Sequence, residues 1–114
     1  MLTLAGNGRL TRKPELRTTS SGATVTTVAI ASSRRGSDDD PIYVDLVLWE
    51  AQAAFAAEHL VKGQAVTFAG RLEPRAWTDR EGNARAAIEV HGVDLEYGAK
   101  PRAAAADGED AIPA

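Results

Sequence analysis

Three aromatic rings and two arginines fall in strand-like segments at a spacing that suits binding to nucleic acid. Tyr43 and Trp49 are an even number of residues apart, so both rings project from one strand face, roughly 20 Å from each other. Trp77 shares a face of a later strand with Arg71 and Arg75. Flat rings stack on unpaired bases and guanidinium groups contact phosphates, so the pattern predicts a surface for single-stranded nucleic acid.

Ordinary packing is the alternative for these rings, because large aromatic side chains fill cores more often than they meet a ligand. The opposite faces of both strands already carry aliphatic stripes, which argues against packing. One predicted stripe is Ile42, Val44, Leu46 and Leu48, with Asp45 and Val47 on the face of the rings, and the other is Val66, Phe68, Gly70 and Leu72. Outward rings leave two explanations open, ligand binding and burial between subunits.

Alternating apolar and polar residues predict five strands and one helix. The predicted strands are Leu2–Thr11, Ala23–Ser33, Ile42–Trp49, Gln64–Trp77 and Ala84–Leu95, and the helix is Glu50–Val61. The apolar phase slips between Val25 and Val28, which predicts a β-bulge in the second strand. This order of elements is typical of the OB-fold, a five-stranded Greek-key barrel with one helix between strands three and four.

The other rings and both histidines show no ligand-binding pattern. Phe55 and Phe68 are in phase with core positions, and we expect both to pack in the interior. Tyr97 lies at the edge of the predicted domain and is not assigned. His59 falls in the helix and His91 in the last strand, without the spacing of metal ligands or a catalytic triad, so we expect no enzyme activity, metal or cofactor.

Composition limits the possible functions. The net charge of -3 gives phosphate binding no support by itself. Acidic residues are concentrated in residues 38–40 and in Asp107, Glu109 and Asp110, and the rest of the chain is roughly neutral with arginine-rich strands. The sequence has no cysteine, which excludes disulfides and cysteine nucleophiles.

The chain divides by composition into a predicted OB-fold domain, residues 1–98, and a tail, residues 99–114. The tail is rich in alanine, proline and acidic residues. It has too little bulky apolar content to offset the entropy of ordering, so we expect it to be disordered. The start of the chain lacks an export signal and no run of about 18 apolar residues occurs, so we expect no membrane association.

Several short motifs occur together in a specific order and spacing. They are Gly8-Arg9-Leu10, Pro14-Glu15-Leu16-Arg17, Ser21-Gly22, Val47-Leu48-Trp49, His59-Leu60-Val61-Lys62-Gly63, Gly70-Arg71-Leu72, Arg75-Ala76-Trp77-Thr78-Asp79, and Gly82-Asn83 followed by Glu89-Val90. Through these motifs, residues 2–95 resemble the bacterial single-stranded DNA-binding proteins, the SSB family.

This resemblance implies an OB-fold domain that assembles as a homotetramer and wraps single-stranded DNA in replication, recombination and repair. It implies base stacking at the positions of Tyr43, Trp49 and Trp77, the rings that strand alternation also selects. The implied location is the cytoplasm, in association with the nucleoid. Because the tail is short, the resemblance also fits an accessory copy of such a protein.

Two positions depart from the family pattern. Family members commonly carry a further tryptophan near the end of strand two, where this chain has Arg35-Gly36, so we expect somewhat weaker binding. Family tails typically end in acidic residues and Ile-Pro-Phe, which recruit replication and repair proteins. Here Asp110, Ile112 and Pro113 remain but the last residue is Ala114, so both partner binding and a merely solubilising tail stay open.

The candidate nucleic-acid-binding residues can now be stated as one set. They are Tyr43, Trp49, Trp77, Arg71, Arg75, Arg9, Arg17, Arg34, Arg35, Lys62 and Arg85. For Arg34 and Arg35, a solvated run of charge is the alternative to phosphate contact. The competing class for the whole chain is an OB-fold module that binds proteins, such as a primosome-like accessory factor, through the same aromatic face.

Overall fold

The computed structural model describes residues 1–33 and 40–101. Within these ranges the chain forms six strands and one helix. They are β1 (Thr3–Leu10), β2 (Arg17–Thr18), β3 (Thr24–Ser32), β4 (Ile42–Trp49), α1 (Glu50–His59), β5 (Ala65–Thr78) and β6 (Ala84–Tyr97). The five predicted strands and the helix are present, and the short β2 is an addition that pairs with the edge of β3.

The strands close into a ring, in which β1 joins β5 to β3. β1 pairs antiparallel with β5 from Thr3 to Arg9, and its end at Arg9 and Leu10 also pairs with β3. A Cβ atom at Gly8 would lie 2.5 Å from Ile30 Cγ2, so only glycine allows β1 to approach β3 this closely. The ring continues from β3 through β4 and β6 to β5. With one helix between β4 and β5, this is the predicted OB-fold.

The core lies inside this ring and is mainly aliphatic. Its buried residues are Leu10, Val28, Ile30, Val44, Leu46, Leu48, Ala53, Ala56, Leu60, Val66, Phe68, Val90 and Val93. The inward stripe predicted for β4 is therefore confirmed at Val44, Leu46 and Leu48, and the interior packing of Phe68 is confirmed. Burying one face of β4 in the core turns the alternate residues of that strand outward.

Two burial predictions were wrong, those for Ile42 and Phe55, whereas Val47 lies on the predicted outer face but is buried there. Ile42 is exposed because it is the first residue of β4, at the end of the barrel. Val47 is buried although it belongs to the outer face, since it is a short side chain between the longer Asp45 and Trp49 on a central strand. Phe55 is 44% exposed, because small alanines occupy the core-facing positions of α1 and let the helix approach closely.

The predicted bulge in the second strand was also wrong. The β3–β4 register runs without a shift from Val25 to Ser32. Val25 and Thr26 are both buried, on opposite faces, and the Thr26 hydroxyl donates a hydrogen bond to the Glu15 carbonyl oxygen at 2.7 Å. A register shift occurs between β5 and β6 instead, next to Gly92, whose φ of 60° suits a bulge.

The helix ends earlier than predicted, at His59 rather than Val61, because the backbone of Leu60 is already extended. Among the residues that the structure describes, no helix has the length and apolar character needed to cross a membrane.

Candidate nucleic-acid interface

The three rings selected from the sequence are accessible on the outer surface of the barrel. Tyr43 is 60% exposed, Trp49 43% and Trp77 40%. Tyr43 and Trp49 lie near opposite ends of β4, while Trp77 lies near the end of β5. The prediction that these side chains avoid the core of the chain is confirmed, and their role in binding remains a prediction.

Strand register places one predicted arginine beside each ring of β4. Arg9 pairs with Ala31, which pairs with Tyr43, so the three form a row on the outer face. In the same way, Arg17 pairs with Val25, which pairs with Trp49, so these three residues form a second row. Arg9 Nη1 donates to the Gly63 carbonyl oxygen at 3.0 Å and Arg17 Nη2 donates to Thr27 Oγ1 at 3.3 Å, so backbone and hydroxyl oxygens position both side chains.

Trp77 is positioned by the hairpin that joins β5 to β6. It pairs with Arg85 across the hairpin, and the guanidinium carbon of Arg75 lies 4.3 Å from the centroid of its ring. The turn is closed by Asp79, whose Oδ1 accepts hydrogen bonds from the backbone N–H groups of Glu81 and Asn83 at 2.9 and 2.8 Å. The hairpin therefore presents a ring with a cation already stacked on it.

The arginines of β5 and β6 are paired with carboxylates. Arg71 pairs with Glu73, Arg75 Nε donates to Glu89 at 2.7 Å, and Arg85 Nε donates to Asp79 at 2.9 Å. These exposed pairs hold the guanidinium groups in fixed orientations without adding much stability. The carboxylates of these pairs also reduce the positive charge of this surface, in a chain whose net charge is -3.

Glu89 is the most connected of these carboxylates. Burial acts to raise its pKa, but hydrogen bonds with His91, at 3.0 Å, and with Arg75 outweigh burial and hold the pKa below its ordinary value. The pKa of Glu73 is also lowered, chiefly by its hydrogen bond with Arg71. Both residues therefore favour their ionised forms at neutral pH.

A polar cleft of about 320 Å³ lies beside Asp45 on the outer face of β4. Its lining residues are Arg12, Glu15, Arg17, Thr27, Asp45, Arg75 and Glu89. Of these, only Arg17 and Arg75 were predicted, and the sequence analysis missed Arg12, Glu15, Thr27 and Glu89 because their proximity depends on pairing between strands. Asp45 was placed on this face by alternation but was given no role.

Asp45 differs from the other carboxylates of the face. Burial raises its pKa, and the negative charge of Glu89 raises it further, while the charges of Arg12 and Arg75 act in the opposite direction. Asp45 and Glu89 are register partners on neighbouring parallel strands, which explains their repulsion.

Of the remaining candidates, Lys62 alone falls within the described residues. Lys62 lies in the turn between α1 and β5, and no hydrogen bond or ion pair links it to a ring in residues 1–33 and 40–101. Arg34 and Arg35 lie outside the described residues, as do the tail residues Asp110, Ile112 and Pro113.

Within residues 1–33 and 40–101, no group of three or more histidine, cysteine, aspartate or glutamate side chains could hold a metal ion. The tilted rings of His59 and Phe55 pack with a centroid distance of 4.3 Å, and the centroid of Tyr97 lies 5.1 Å from that of Phe55. His91 is bonded to Glu89.

Comparison with known proteins gives one consistent result. Single-stranded DNA-binding protein 1 of Tropheryma whipplei (strain Twist) is 36% identical over 102 residues, covering 79% of this chain and 55% of that protein. The single-stranded DNA-binding protein of Treponema pallidum (strain Nichols) is 33% identical over 108 residues, covering 90% of this chain and 61% of that protein. This chain thus spans little more than half the length of these relatives.

A solved structure described as Plasmodium falciparum SSB complex with ssDNA matches the fold, with a TM-score of 0.67 and 19% sequence identity. The match covers 85% of this chain and 94% of that chain. Residues 3–97 match the Single-strand binding protein family. The outward rings, the closed barrel and this match together show that the chain belongs to the Single-strand binding protein family.

Proposed function

We propose that this chain binds single-stranded DNA without requiring a particular sequence, by stacking bases on Tyr43, Trp49 and Trp77. The observation that carries the proposal is that all three rings are at least 40% exposed on the outer face of the barrel. The inner faces of the same strands contribute to the core. Exposed tryptophans are unfavourable in water unless a ligand or partner covers them. Family membership makes DNA, rather than RNA, the preferred ligand.

The arginines supply the second half of the proposed binding mode. Arg9 and Arg17 border the rings of β4, and Arg75 lies over Trp77. Phosphates approaching Arg71, Arg75 or Arg85 would compete with the carboxylates that hold them. We therefore expect stacking to contribute more to affinity here than net charge does, about 1–3 kcal/mol for each stacked base.

Fluorescence titration tests this function directly. Oligo(dT) should quench the emission of Trp49 and Trp77, and affinity should fall as salt is raised because phosphate contacts release counterions. Trp49→Ala and Trp77→Ala should each weaken binding by about 1–3 kcal/mol. Light scattering of both variants is the control, since an unchanged mass separates a binding ring from an interface ring. Unaltered emission at low salt would refute the proposal.

A protein-binding role is the second candidate, and the paired arginines favour it. With Arg71, Arg75 and Arg85 each held by a carboxylate, the face is less cationic than a phosphate-binding surface usually is. A protein partner would cover the same rings through apolar contact, and its affinity would change little with salt. The salt titration therefore distinguishes the two candidates.

The assembly and cellular role extend the proposal. We propose a homotetramer, supported by β1, whose residues Thr3–Gly8 pair with β5 on one side only within the described residues. We propose roles in replication, recombination and repair in the cytoplasm, in association with the nucleoid, by binding rather than catalysis.

The division of the chain belongs to the same proposal. Residues 1–98 would form the binding domain, and residues 99–114 a tail. In the described part of this segment, the Ala65 N–H donates to the Ala99 carbonyl oxygen at 3.0 Å, so the chain follows β5 past Gly98.

A further inference from the structure

Asp45 lies inside the path that the proposed ligand would follow. It shares the outer face of β4 with Tyr43 on one side and Trp49 on the other, and it lines the polar cleft. A base stacked on Tyr43 would bring its polar edge close to this half-buried side chain. The position of Asp45 in the middle of a strand fixes its backbone, so the carboxylate occupies a defined place beside the ligand.

The Asp45 carboxylate differs from its neighbours in the contacts that it makes with the described residues. Across residues 1–33 and 40–101, no hydrogen bond or ion pair ends on its oxygens. Arg12 and Arg75 act on it only through their charge, and the Nε of Arg75 is already bonded to Glu89. Two nearby carboxylates, Glu73 and Glu89, are by contrast bonded to arginine. Asp45 is therefore a half-buried acceptor whose hydrogen-bonding capacity the described residues leave unused.

An ionised carboxylate accepts hydrogen bonds and donates none, so it distinguishes bases by their exposed edges. Cytosine and adenine present an exocyclic amino group, and guanine presents an amino group beside a ring N–H. Thymine presents a single ring N–H between two carbonyl oxygens, which a carboxylate repels. A half-buried acceptor left without a donor is also costly, which penalises thymine again.

We propose that Asp45 biases this surface toward bases that carry an exocyclic amino group, cytosine, adenine and guanine, over thymine. The inference rests on the proposed binding of single-stranded DNA and adds a composition preference to it. Stacking on the rings tolerates any base, so the preference is a moderate one superimposed on general binding.

Three pyrimidine oligonucleotides of equal length test the proposal at one salt concentration: oligo(dC), oligo(dU) and oligo(dT). Pyrimidines stack weakly on themselves, and cytosine differs from uracil by the amino group without the methyl group of thymine. For the unaltered chain, we expect oligo(dC) to bind about fivefold more tightly than oligo(dU), as a single discriminating hydrogen bond would produce. In Asp45→Asn, which offers an N–H donor in the same shape, this ratio should fall to about one.

Glu73→Gln is the matched control, because it removes a carboxylate from the same face at a residue bonded to Arg71. It should raise the affinity for all three oligonucleotides equally and keep the ratio. Asp45→Ala provides a second variant, and thermal unfolding confirms that each one is folded.

The outcomes separate this proposal from the proposed function. A ratio that is unchanged in Asp45→Asn and Asp45→Ala, or an equal gain for every oligonucleotide, overturns the role of Asp45 while leaving binding intact. Failure of the unaltered chain to bind any of the three overturns both proposals, since the preference depends on binding.

Discussion

The proposed binding face consists of two regions that are held in place by different forces. β4 carries Tyr43 and Trp49 on a strand whose other side includes the fully buried Leu46 and Leu48. The β5–β6 hairpin carries Trp77 on a segment that is mostly exposed on both sides. Hydrophobic burial positions the first pair of rings, whereas polar contacts of Asp79, Arg75 and Glu89 position the third.

This difference indicates a division of mechanical roles. A ring backed by close-packed side chains keeps its orientation as long as the barrel is folded. A ring on a hairpin held by exposed ion pairs can move locally without unfolding the barrel, because such pairs contribute little stability. We infer that Tyr43 and Trp49 form the rigid part of the surface and Trp77 the adjustable part.

The largest expected effect comes from the core beneath the first region. Leu46→Ala should destabilise the chain by about 2–5 kcal/mol, because it leaves a cavity under the strand that carries two rings. Chemical denaturation measures the loss. The matched control is Ile88→Ala on β6, where the side chain is only partly buried and the cost should be smaller. Equal costs at the two positions would contradict the proposed difference between the regions.

A smaller effect is expected at the junction between β4 and α1. Glu50 directly follows Trp49 and has a φ of 53°, in the left-handed region that side chains with a Cβ atom disfavour. Glu50→Gly should therefore be more stable than Glu50→Ala by about 1 kcal/mol, the reverse of the usual order in a helix. Both variants lose the same carboxylate, so thermal unfolding of the pair isolates the backbone effect. A more stable alanine variant would show that this conformation is not adopted in solution.

The smallest effect should be confined to the tip of the hairpin. The pKa of Asp79 is lowered, chiefly by its hydrogen bond with the Asn83 backbone. Hydrogen bonds with Arg85 and Glu81 lower it further, whereas burial acts to raise it. A carboxylate whose pKa is lower in the folded state stabilises the fold fully at pH values above its unfolded-state pKa. This contribution is lost as the pH falls through the folded-state pKa. The turn should therefore stay closed until pH falls below 3.8, the ordinary value for aspartate.

Amide signals of Glu81 and Asn83, followed by NMR as pH is lowered, measure this opening. Asp79→Asn should open the turn at neutral pH while leaving the amides of β4 unchanged. Opening of the unaltered hairpin at pH 5 or above, or a simultaneous change in β4, would show that the two regions are not independent.

Much of the fold and part of the site could be predicted from local patterns. Strand alternation located Tyr43 and Trp49 outside and Leu46 and Leu48 inside, because successive side chains of a strand project to opposite faces. The motifs of residues 2–95 predicted the family, and the match of residues 3–97 to the Single-strand binding protein family confirms this prediction. Local patterns failed for Phe55, where the neighbouring alanines took the core positions of the helix.

The amino-acid sequence by itself determined the order of elements, the core stripe of β4 and the outward direction of the rings, because these depend on periodicity within a single strand. Only the tertiary structure decided which arginine lies beside which ring, and that Asp45 faces Glu89 without a hydrogen bond. Those relations join strands that are distant in the chain. They depend on the register set when the barrel closes, which no pattern within one strand contains.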